Sequence, residues 1–130
     1  MKQLTIISED SLGVVTEICE ALAAAGVNIE SLDAETIGGS GVTKLTVDRY
    51  DDALRALVQT PFHAISEEAI VLQLEDKPGE LARITRRFKD ANISLRSVRI
   101  IRRATGTSIV AISTERTEEA MELVKDLMIS

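Results

Sequence analysis

Glu9-Asp10-Ser11-Leu12-Gly13 and Glu75-Asp76-Lys77-Pro78-Gly79 decide the fold, because the second stretch repeats the first, with Asp76 standing 66 residues after Asp10. Further pairs keep this spacing: Ile18 and Ile84, Leu22 and Phe88, Ala25 and Ala91, Ile29 and Leu95, Ser31 and Ser97. A repeat at fixed spacing identifies the structural unit before any helix or strand is assigned. Since the unit is about half of the chain, we predict two similar small domains, residues 1–68 and residues 69–130.

The composition is that of a globular protein, with 45% hydrophobic and 28% charged residues in a chain of 130. A chain of this length can bury roughly two-thirds of its unfolded surface, whereas one copy alone would be marginally stable. Aromatic residues make up only 2% of the chain and the formal net charge is −6. Both values disfavour nucleic acid as a partner, because base stacking needs aromatic side chains and phosphates need basic ones.

Charge is distributed unevenly along the chain. Residues 1–68 carry 4 basic and 12 acidic side chains, a net charge of −8, while residues 69–130 carry 11 and 9, a net charge of +2. Two differently charged solvent-facing surfaces would explain this, since surface ion pairs contribute little. Alternatively, the acidic and basic copies attract each other and fix an orientation. The second copy contains a set of basic residues: Arg83, Arg86, Arg87, Arg96, Arg99, Arg102 and Arg103. The same two explanations, exposure to solvent and attraction to the acidic copy, apply to this set. A third explanation is nucleic acid binding, which the overall charge disfavours.

The reactive side chains are too few for an enzyme. Cys19 is the only cysteine and His63 the only histidine, so no acid, base and nucleophile can be combined into a catalytic group. No intramolecular disulfide, metal-ligand spacing or cofactor motif is expected either. Cys19 shares a predicted helix face with Val15, Ile18 and Leu22 and is interpreted as a buried thiol, which suits a reducing cytoplasm. No apolar run is long enough to span a membrane, and no signal peptide is recognised, so we expect no membrane partner.

The order of predicted elements is strand, helix, strand, strand, helix, strand in each copy, which is the split βαβ or ferredoxin-like unit. We therefore predict an α+β fold of two βαββαβ domains, each an antiparallel sheet with its helices on one face. In the second copy only Ile129-Ser130 follow the last helix, so its fourth strand is predicted to be short or missing. The predicted strands cover residues 4–8, 27–36, 42–50, 62–66, 69–74, 92–102 and 107–114.

Three helix starts are predicted from capping chemistry. Ser11 is a plausible N-cap, with Leu12-Gly13 beginning the helix. Pro78 suits the first helical position, where a missing N–H is harmless. Thr117 is predicted to cap the last helix.

A change of side-chain parity occurs inside both middle strands. Val27 and Ile29 occupy odd-numbered positions and would point to one sheet face, whereas Leu32 and Ala34 occupy even-numbered positions. The second copy repeats this change at matching positions. A parity change within a strand predicts a bulge.

The strand-to-helix loops, residues 10–14 (loop 1) and 76–80 (loop 2), present glycine and free backbone N–H groups at a helix N-terminus. Such a terminus is suited to an anion such as a carboxylate. The alternative is that glycine and proline merely form a tight turn.

The second-copy residues Asp76-Lys77-Pro78-Gly79-Glu80-Leu81, Phe88 and Ala91-Asn92-Ile93-Ser94 resemble the signature of ACT domains. Asp10-Ser11-Leu12-Gly13-Val14 and Ala25-Gly26-Val27-Asn28-Ile29 resemble a second copy. The two copies cover essentially the whole sequence, so the chain resembles a stand-alone tandem ACT protein with no catalytic domain attached.

The resemblance implies a regulatory protein that binds an amino acid at interfaces between paired ACT domains. In that family the loop after the first strand and the start of the second strand frame the ligand. By position, this implies the following binding residues: Asp10, Ser11, Leu12, Gly13, Val14, Asn28 and Ile29, with Asp76, Lys77, Pro78, Gly79, Glu80, Ile93 and Ser94. Backbone N–H groups would take the ligand carboxylate, and Asn28 could bond its polar atoms.

Each copy departs once from the family pattern. Leu12 stands where proline is usual, and Ser94 stands where the first copy has Asn28. The two sites are therefore expected to differ, with the Asn28 site as the first candidate.

The expected function is that of an amino acid sensor that modulates a metabolic partner. The alternative is a ligand-free regulatory subunit of an amino-acid biosynthetic enzyme. The sheet edge left by the missing strand also motivates a homodimer.

Overall fold

The structure, a computed structural model, describes residues 2–66 and 69–129. The chain divides into two compact units, Met1–Glu67 and Glu68–Ser130. The elements of the first unit are β1 (Gln3–Glu9), α1 (Val14–Ala24), β2 (Ile29–Ile37), β3 (Ser40–Val47), α2 (Tyr50–Val58) and β4 (His63–Ile65). Those of the second unit are β5 (Ile70–Glu75), α3 (Glu80–Asp90), β6 (Leu95–Ala104), β7 (Thr107–Thr114) and α4 (Thr117–Leu123), followed by a 3-10 turn (Lys125–Leu127).

The first unit has a four-stranded antiparallel sheet in the order β2-β3-β1-β4. Alternate residues of β1 point to one face, where Leu4 and Ile6 are fully buried with helix residues such as Ile18 and Leu57. The buried apolar residues of this core are Leu4, Ile6, Ile18, Leu22, Val27, Leu45, Val47, Ala53 and Leu57. The predicted ferredoxin-like arrangement, with both helices on one sheet face, is confirmed.

The second unit repeats this order on a three-stranded antiparallel sheet, β5-β7-β6. Its core is Ile70, Leu72, Leu74, Ile84, Phe88, Ile93, Val110, Ile112, Ala120 and Val124. In place of a fourth strand, Met128 forms a single antiparallel bridge with Leu72. The Ile129 N–H then donates to the Val71 carbonyl over 2.8 Å.

The bulges predicted from side-chain parity are confirmed in both middle strands. The pairing register of β2 shifts between Ile29 and Ser31, and that of β6 shifts between Leu95 and Ser97. These positions differ by the repeat spacing, so the irregularity belongs to the repeated unit.

A second shift in β6, between Ile100 and Arg102, has no counterpart in β2. This shift places one additional residue in β6. The glycine of the first hairpin turn, Gly39, therefore corresponds to Gly106, which lies one residue beyond the repeat spacing of 66. Both glycines have positive φ angles, 78° and 75°, as two-residue hairpin turns require.

The predicted helix starts are wrong by one or two residues. The helix caps are Gly13 and Gly79, both left-handed and without a side-chain capping bond, so Ser11 is not the N-cap and Pro78 is not the first helical residue. Glycine is favoured there because the φ angles, 86° and 85°, are unfavourable for other L-residues. Thr117 is the first residue of α4 and not its cap.

The helices α1 and α3 end in the same C-terminal capping motif. Gly26 and Asn92 have φ angles of 73° and 59°, and the following N–H of Val27 donates back to the carbonyl of Leu22 over 2.9 Å. The same bond joins Ile93 N–H to the carbonyl of Phe88. This is the Schellman pattern, in which a left-handed residue satisfies the last helical carbonyls.

Two side chains predicted to be buried are more exposed. Val15 is 38% exposed, and Cys19 is half-buried instead of lying in the core. On α1 the fully buried positions are Ile18 and Leu22, so the buried stripe is narrower than the apolar stripe of the sequence.

Candidate functional site

Loop 1 joins β1 to α1 through a turn that leaves the start of the helix open. Gly13 has φ 86° and ψ −2°, the values of the third residue of a type II turn. The first helical hydrogen bond runs from Glu17 N–H to the Gly13 carbonyl over 2.9 Å. The N–H groups of Val14, Val15 and Thr16 therefore lack an intrahelical acceptor, and a glycine cap has no side chain to supply one.

A cavity of about 270 Å³, here called the first cavity, lies against these N–H groups. Its walls come from the end of β1 with loop 1, the start of α1, the end of β2 and the start of β3. The lining residues are Ser8, Glu9, Asp10, Ser11, Leu12, Gly13, Val14, Val15, Thr16, Ala34, Glu35, Thr36, Gly41, Val42 and Thr43. Leu12 is fully exposed. All five predicted residues of loop 1 thus share one cavity.

One contact joins loop 1 to β2, and a second brings β3 close to the end of β1. The Thr36 hydroxyl donates to the Asp10 carboxylate over 3.1 Å. Gly41 lies so close to the end of β1 that a Cβ there would come within 2.7 Å of the Ser8 hydroxyl and 3.1 Å of the Glu9 carbonyl. The missing side chain at position 41 thus lets β3 approach the base of the loop.

The charges around the first cavity are acidic. Glu9, Asp10 and Glu35 are among its lining residues, and no lysine or arginine in the described chain lines it. The helix N-terminus contributes partial positive charge from the N–H groups of α1. The cavity therefore offers donors for an anion and carboxylates for a cation.

Loop 2 has the same backbone geometry, with Gly79 at φ 85° and ψ −11°. The Glu80 N–H donates to the Lys77 carbonyl over 3.3 Å, which closes a type II turn with Pro78 and Gly79 at its centre. The proline and glycine of the repeat are therefore turn residues.

Ion pairs within the second unit tie loop 2 down. Lys77 pairs with Glu75 over 2.8 Å, and Asp76 lies 3.4 Å from Arg103. The hydrogen bond and charge of Glu75 raise the pKa of Lys77. Glu80, where the first unit has Val14, has a nearly buried side chain and pairs with Arg83, whose hydrogen bond lowers the pKa of the Glu80 carboxyl. Loop 2 thus carries a carboxylate at its own helix N-terminus.

Asn28 and Ile29 lie at the opposite end of the first sheet from loop 1. Ile29 pairs with Val47, whereas the loop follows the other end of the sheet. The Asn28 N–H donates to Asp48 Oδ1 over 2.9 Å, and the Asn28 carbonyl accepts from the Asp48 N–H over 3.1 Å. Within one unit, the two predicted parts of the site are therefore not brought together.

The second unit separates its predicted residues in the same way. Ile93 and Ser94 line another cavity, here called the second cavity, of about 360 Å³ at the end of α3. Its other lining residues are Thr85, Phe88, Lys89, Asn92 and Leu95. Loop 2, which precedes α3, lies at the other end of that helix.

The walls of the first cavity outside loop 1 were not predicted. Glu35 and Thr36 on β2 and Gly41 on β3 are the main examples. The element order could have predicted these residues, because two parallel strands joined by a crossover helix have their C-terminal ends on the same side of the sheet. The end of β2 is therefore expected beside the end of β1.

Among the described residues, 2–66 and 69–129, no helix has the length and apolar character that crossing a bilayer requires. Nor do these residues contain three or more His, Cys, Asp or Glu side chains grouped to hold a metal ion.

The ACT domain family profile matches residues 69–127. This chain carries an ACT domain. The matched segment contains loop 2, α3 and the second sheet, and the first unit has the element order of this ACT domain, with a fourth strand in addition. No curated protein sequence matches the chain.

Three solved structures show similarity over nearly all of the chain. A protein from Bacteroides thetaiotaomicron is 22% identical, with 96% of this chain and 86% of that chain covered and a TM-score of 0.48. The regulatory subunit of aspartate kinase from Thermus thermophilus, in its ligand-free form, is 17% identical, with coverage of 96% and 91% and a TM-score of 0.45. The corresponding subunit from Thermus flavus is 18% identical, with coverage of 96% and 90% and a TM-score of 0.45.

Proposed function

We propose that this protein is a non-catalytic amino acid sensor built from two ACT domains, residues 1–68 and 69–130, and that it modulates a metabolic enzyme. The observation that carries the proposal is the first cavity, where the uncapped N–H groups of α1 stand beside carboxylates. The family profile of the second unit supports a regulatory role. The single thiol, Cys19, suits the reducing cytoplasm, which we propose as the compartment.

The ligand we propose is a zwitterionic amino acid. Its carboxylate would accept hydrogen bonds from the N–H groups of Val14, Val15 and Thr16, at the positive end of the α1 dipole. Its ammonium group would meet the carboxylates of Asp10 and Glu35. Pockets for drug-sized ligands measure about 300 to 1,000 Å³, so a cavity of about 270 Å³ suits a smaller molecule.

The acidic lining also predicts a preference among amino acids. An acidic ligand side chain would add a second negative charge beside Glu9, Asp10 and Glu35 without a basic partner, and like charges repel in such a site. We therefore expect neutral or basic amino acids to bind better than aspartate or glutamate.

The direct test is thermal unfolding with each of the twenty amino acids at millimolar concentration. A ligand at 100 times its dissociation constant stabilises the folded state by about 2.7 kcal/mol, which a melting curve resolves. At least one neutral or basic amino acid should raise the melting temperature. If none does, the sensor proposal is wrong.

A pair of matched variants assigns the site. Asp10→Asn removes a carboxylate from the first cavity, and Asp76→Asn makes the same change at the equivalent position of loop 2. We expect Asp10→Asn to weaken the response to the active amino acid and Asp76→Asn to leave it unchanged. The reverse result would place the site on loop 2.

The alternative, a ligand-free regulatory subunit of a biosynthetic enzyme, is favoured by one observation. Loop 2 is held by its own ion pairs, Lys77 with Glu75 and Asp76 with Arg103, so its anion-binding groups are partly satisfied internally. The alternative predicts that no amino acid alters unfolding, while the chain still co-purifies with an enzyme. A homodimer is compatible with both functions.

A further inference from the structure

The strand pairing shows which residues of the second unit correspond to the walls of the first cavity. In the first sheet, Thr36 of β2 pairs with Gly41 of β3, as the second pair from the hairpin turn. In the second sheet, the pair at that place is Arg103 of β6 with Ser108 of β7. Thr36 therefore corresponds to Arg103, and Gly41 corresponds to Ser108.

The aspartate of each loop meets a different partner at this position. The Thr36 hydroxyl donates to Asp10 over 3.1 Å, whereas Arg103 Nε lies 3.4 Å from Asp76 Oδ1. A hydroxyl leaves the negative charge of Asp10 in place, but a guanidinium offsets that of Asp76. In the described part of the chain Asp10 pairs with no lysine or arginine, so its charge remains available to a cation.

The sheet wall beside each loop also differs in shape and charge. Gly41 brings no side chain into the first cavity, whereas Ser108 adds a buried hydroxyl at the equivalent place. The third pair from the hairpin turn contains Glu35 in the first sheet and Arg102 in the second. The wall that is open and acidic in the first unit is therefore more filled and basic in the second.

The helix starts differ in the same sense. The first residue of α3 is Glu80, whose side chain is only 9% exposed and pairs with Arg83. The equivalent residues of α1 are Val14, which lines the first cavity, and Glu17, which is exposed and does not line it. A carboxylate in the first turn is stabilised by the positive end of the helix dipole. The start of α3 thus has a buried negative charge of its own, whereas α1 presents an apolar residue to its cavity.

We propose that the second unit supplies from its own side chains the two charges that an amino acid brings to the first unit. The Arg103 guanidinium meets Asp76 as the ammonium group of the ligand would meet Asp10. The Glu80 carboxylate lies at the start of α3 as the carboxylate of the ligand would lie at the start of α1. The chain therefore binds one amino acid, at the first cavity. This inference rests on the proposed function, because it concerns which of the two loops takes the ligand.

The backbone of the two loops supports the comparison. Gly13 has φ 86° and ψ −2°, and Gly79 has φ 85° and ψ −11°. Loop 2, with its charges already paired, therefore has the same turn geometry as loop 1. We infer that loop 1 is preorganised and takes its ligand without rearrangement, which lowers the cost of binding.

Calorimetric titration of the full chain counts the binding sites, with the amino acid that gives the largest thermal shift among the twenty as the probe. We expect one amino acid per chain. Two per chain would overturn this inference and leave the sensor proposal standing. A wild-type chain that binds none of the twenty would contradict the sensor proposal instead.

Two variants transplant the charges of the second unit into the first. Thr36→Arg gives Asp10 the kind of partner that Asp76 has. Val14→Glu combined with Glu17→Arg gives α1 the ion pair found at the start of α3. Each should weaken binding of the probe at least about tenfold, because each opposes one charge-assisted contact of the ligand.

The controls separate charge from size and from position. Ser31→Arg adds the same charge to β2 outside the cavity, and Glu17→Arg alone leaves Val14 in place, so both should bind at least as tightly as the wild type. Thr36→Met adds length without charge and should weaken binding less than Thr36→Arg. Circular dichroism shows whether each variant is folded. A folded transplant variant that binds as tightly as the wild type would overturn the inference.

A measurement without any amino acid tests the inference even when the probe does not bind. The guanidinium of Thr36→Arg offsets the acidic wall of the first cavity, so this variant should melt at a higher temperature than Thr36→Met in low salt. The difference should disappear in about 1 M salt, where exposed charges are screened. Equal melting temperatures in low salt would show that a cation at position 36 does not replace the ligand, and the inference would be wrong.

Discussion

At the scale of single residues, the repeated glycine of each loop is needed for its backbone angle and not for space. A Cβ added at Gly13 or Gly79 would meet nothing within 4 Å, but both residues have φ near 85°. The left-handed region is unfavourable for L-residues by roughly 1–2 kcal/mol. The glycine therefore sets the direction in which the N–H groups of α1 and α3 point.

We accordingly predict that Gly13→Ala lowers the free energy of unfolding by about 1 kcal/mol, while Gly13→Asn lowers it less, because asparagine tolerates this region. Urea unfolding measures both. Gly41→Ala is the control for a glycine that is needed for space, because its added Cβ would meet the Ser8 hydroxyl and the Glu9 carbonyl. At position 41, Gly41→Asn should therefore be no more stable than Gly41→Ala. Equal losses for Gly13→Ala and Gly13→Asn would contradict the argument from φ.

Asp126 illustrates a residue whose protonation state matters for the second unit. Arg87 donates to both of its carboxylate oxygens, over 2.8 and 3.2 Å, and to the Leu123 carbonyl over 3.3 Å. The hydrogen bond from Arg87 lowers the pKa of the Asp126 carboxyl below its ordinary value. The pair therefore links α3 to the turn that follows α4.

A lowered pKa fixes the sign of the pH dependence. The carboxylate contributes stability above its unfolded-state pKa, and this contribution is lost as the pH falls through the lower folded-state pKa. Asp126→Asn should thus be less stable than the wild type near pH 7, and the difference should shrink in acid. Thermal melts at several pH values measure this difference in stability. The control is Glu122→Gln, which should have little effect because Glu122 lies 3.9 Å from Lys125. A difference that does not change with pH would count against the role of Asp126.

At the scale of elements, the sequence predicted the order of helices and strands and both matching bulges, because apolar periodicity directly reflects which face is buried. Helix starts were predicted less well. Ser11 and Thr117 are good capping residues in isolation, but the type II turn at Gly13 and the geometry at Arg116 place the caps elsewhere. Turn geometry depends on the backbone angles of several residues together, which a capping preference does not include.

The sequence predicted only part of the candidate site, because it shows local features more directly than long-range ones. Loop 1 was found from local chemistry, since glycine and an adjacent helix start are close in sequence. Thr36 and Gly41 were missed because their place in the cavity depends on strand register, which is a long-range property. Asn28 was grouped with loop 1 through the family resemblance, although α1 separates them to opposite ends of one sheet.

The fourth strand of the second unit is reduced to one bridge and one terminal hydrogen bond, and this can be tested. Ile129→Pro removes the N–H that donates to Val71, while the extended backbone of Met128, with φ −70° and ψ 138°, already suits a residue before proline. We expect a loss of about 1 kcal/mol, the net contribution of one hydrogen bond. Denaturant unfolding measures it against Ile129→Val, which keeps the N–H. If the two variants were equally stable, the bond would contribute nothing to the fold.

At the scale of the whole molecule, each unit separates its predicted binding residues. In the first unit, loop 1 follows one end of the sheet and Asn28 lies at the other end. In the second unit, Ser94 lines the second cavity at the end of α3, whereas loop 2 precedes that helix. Within either unit alone, the two groups of residues that the family resemblance joins therefore lie in two separate places.

If the proposed sensor binds its amino acid where two ACT domains meet, as the family resemblance implies, ligand binding and association are coupled, and the coupling free energy is the same in both directions. We predict that the amino acid found by thermal unfolding increases association of the wild-type chain by the same factor by which association increases its affinity. Sedimentation of the wild type at zero and saturating ligand measures the first factor, and calorimetric titration at several protein concentrations measures the second. An association constant that does not change with the ligand would mean that the first cavity binds the amino acid without a second copy.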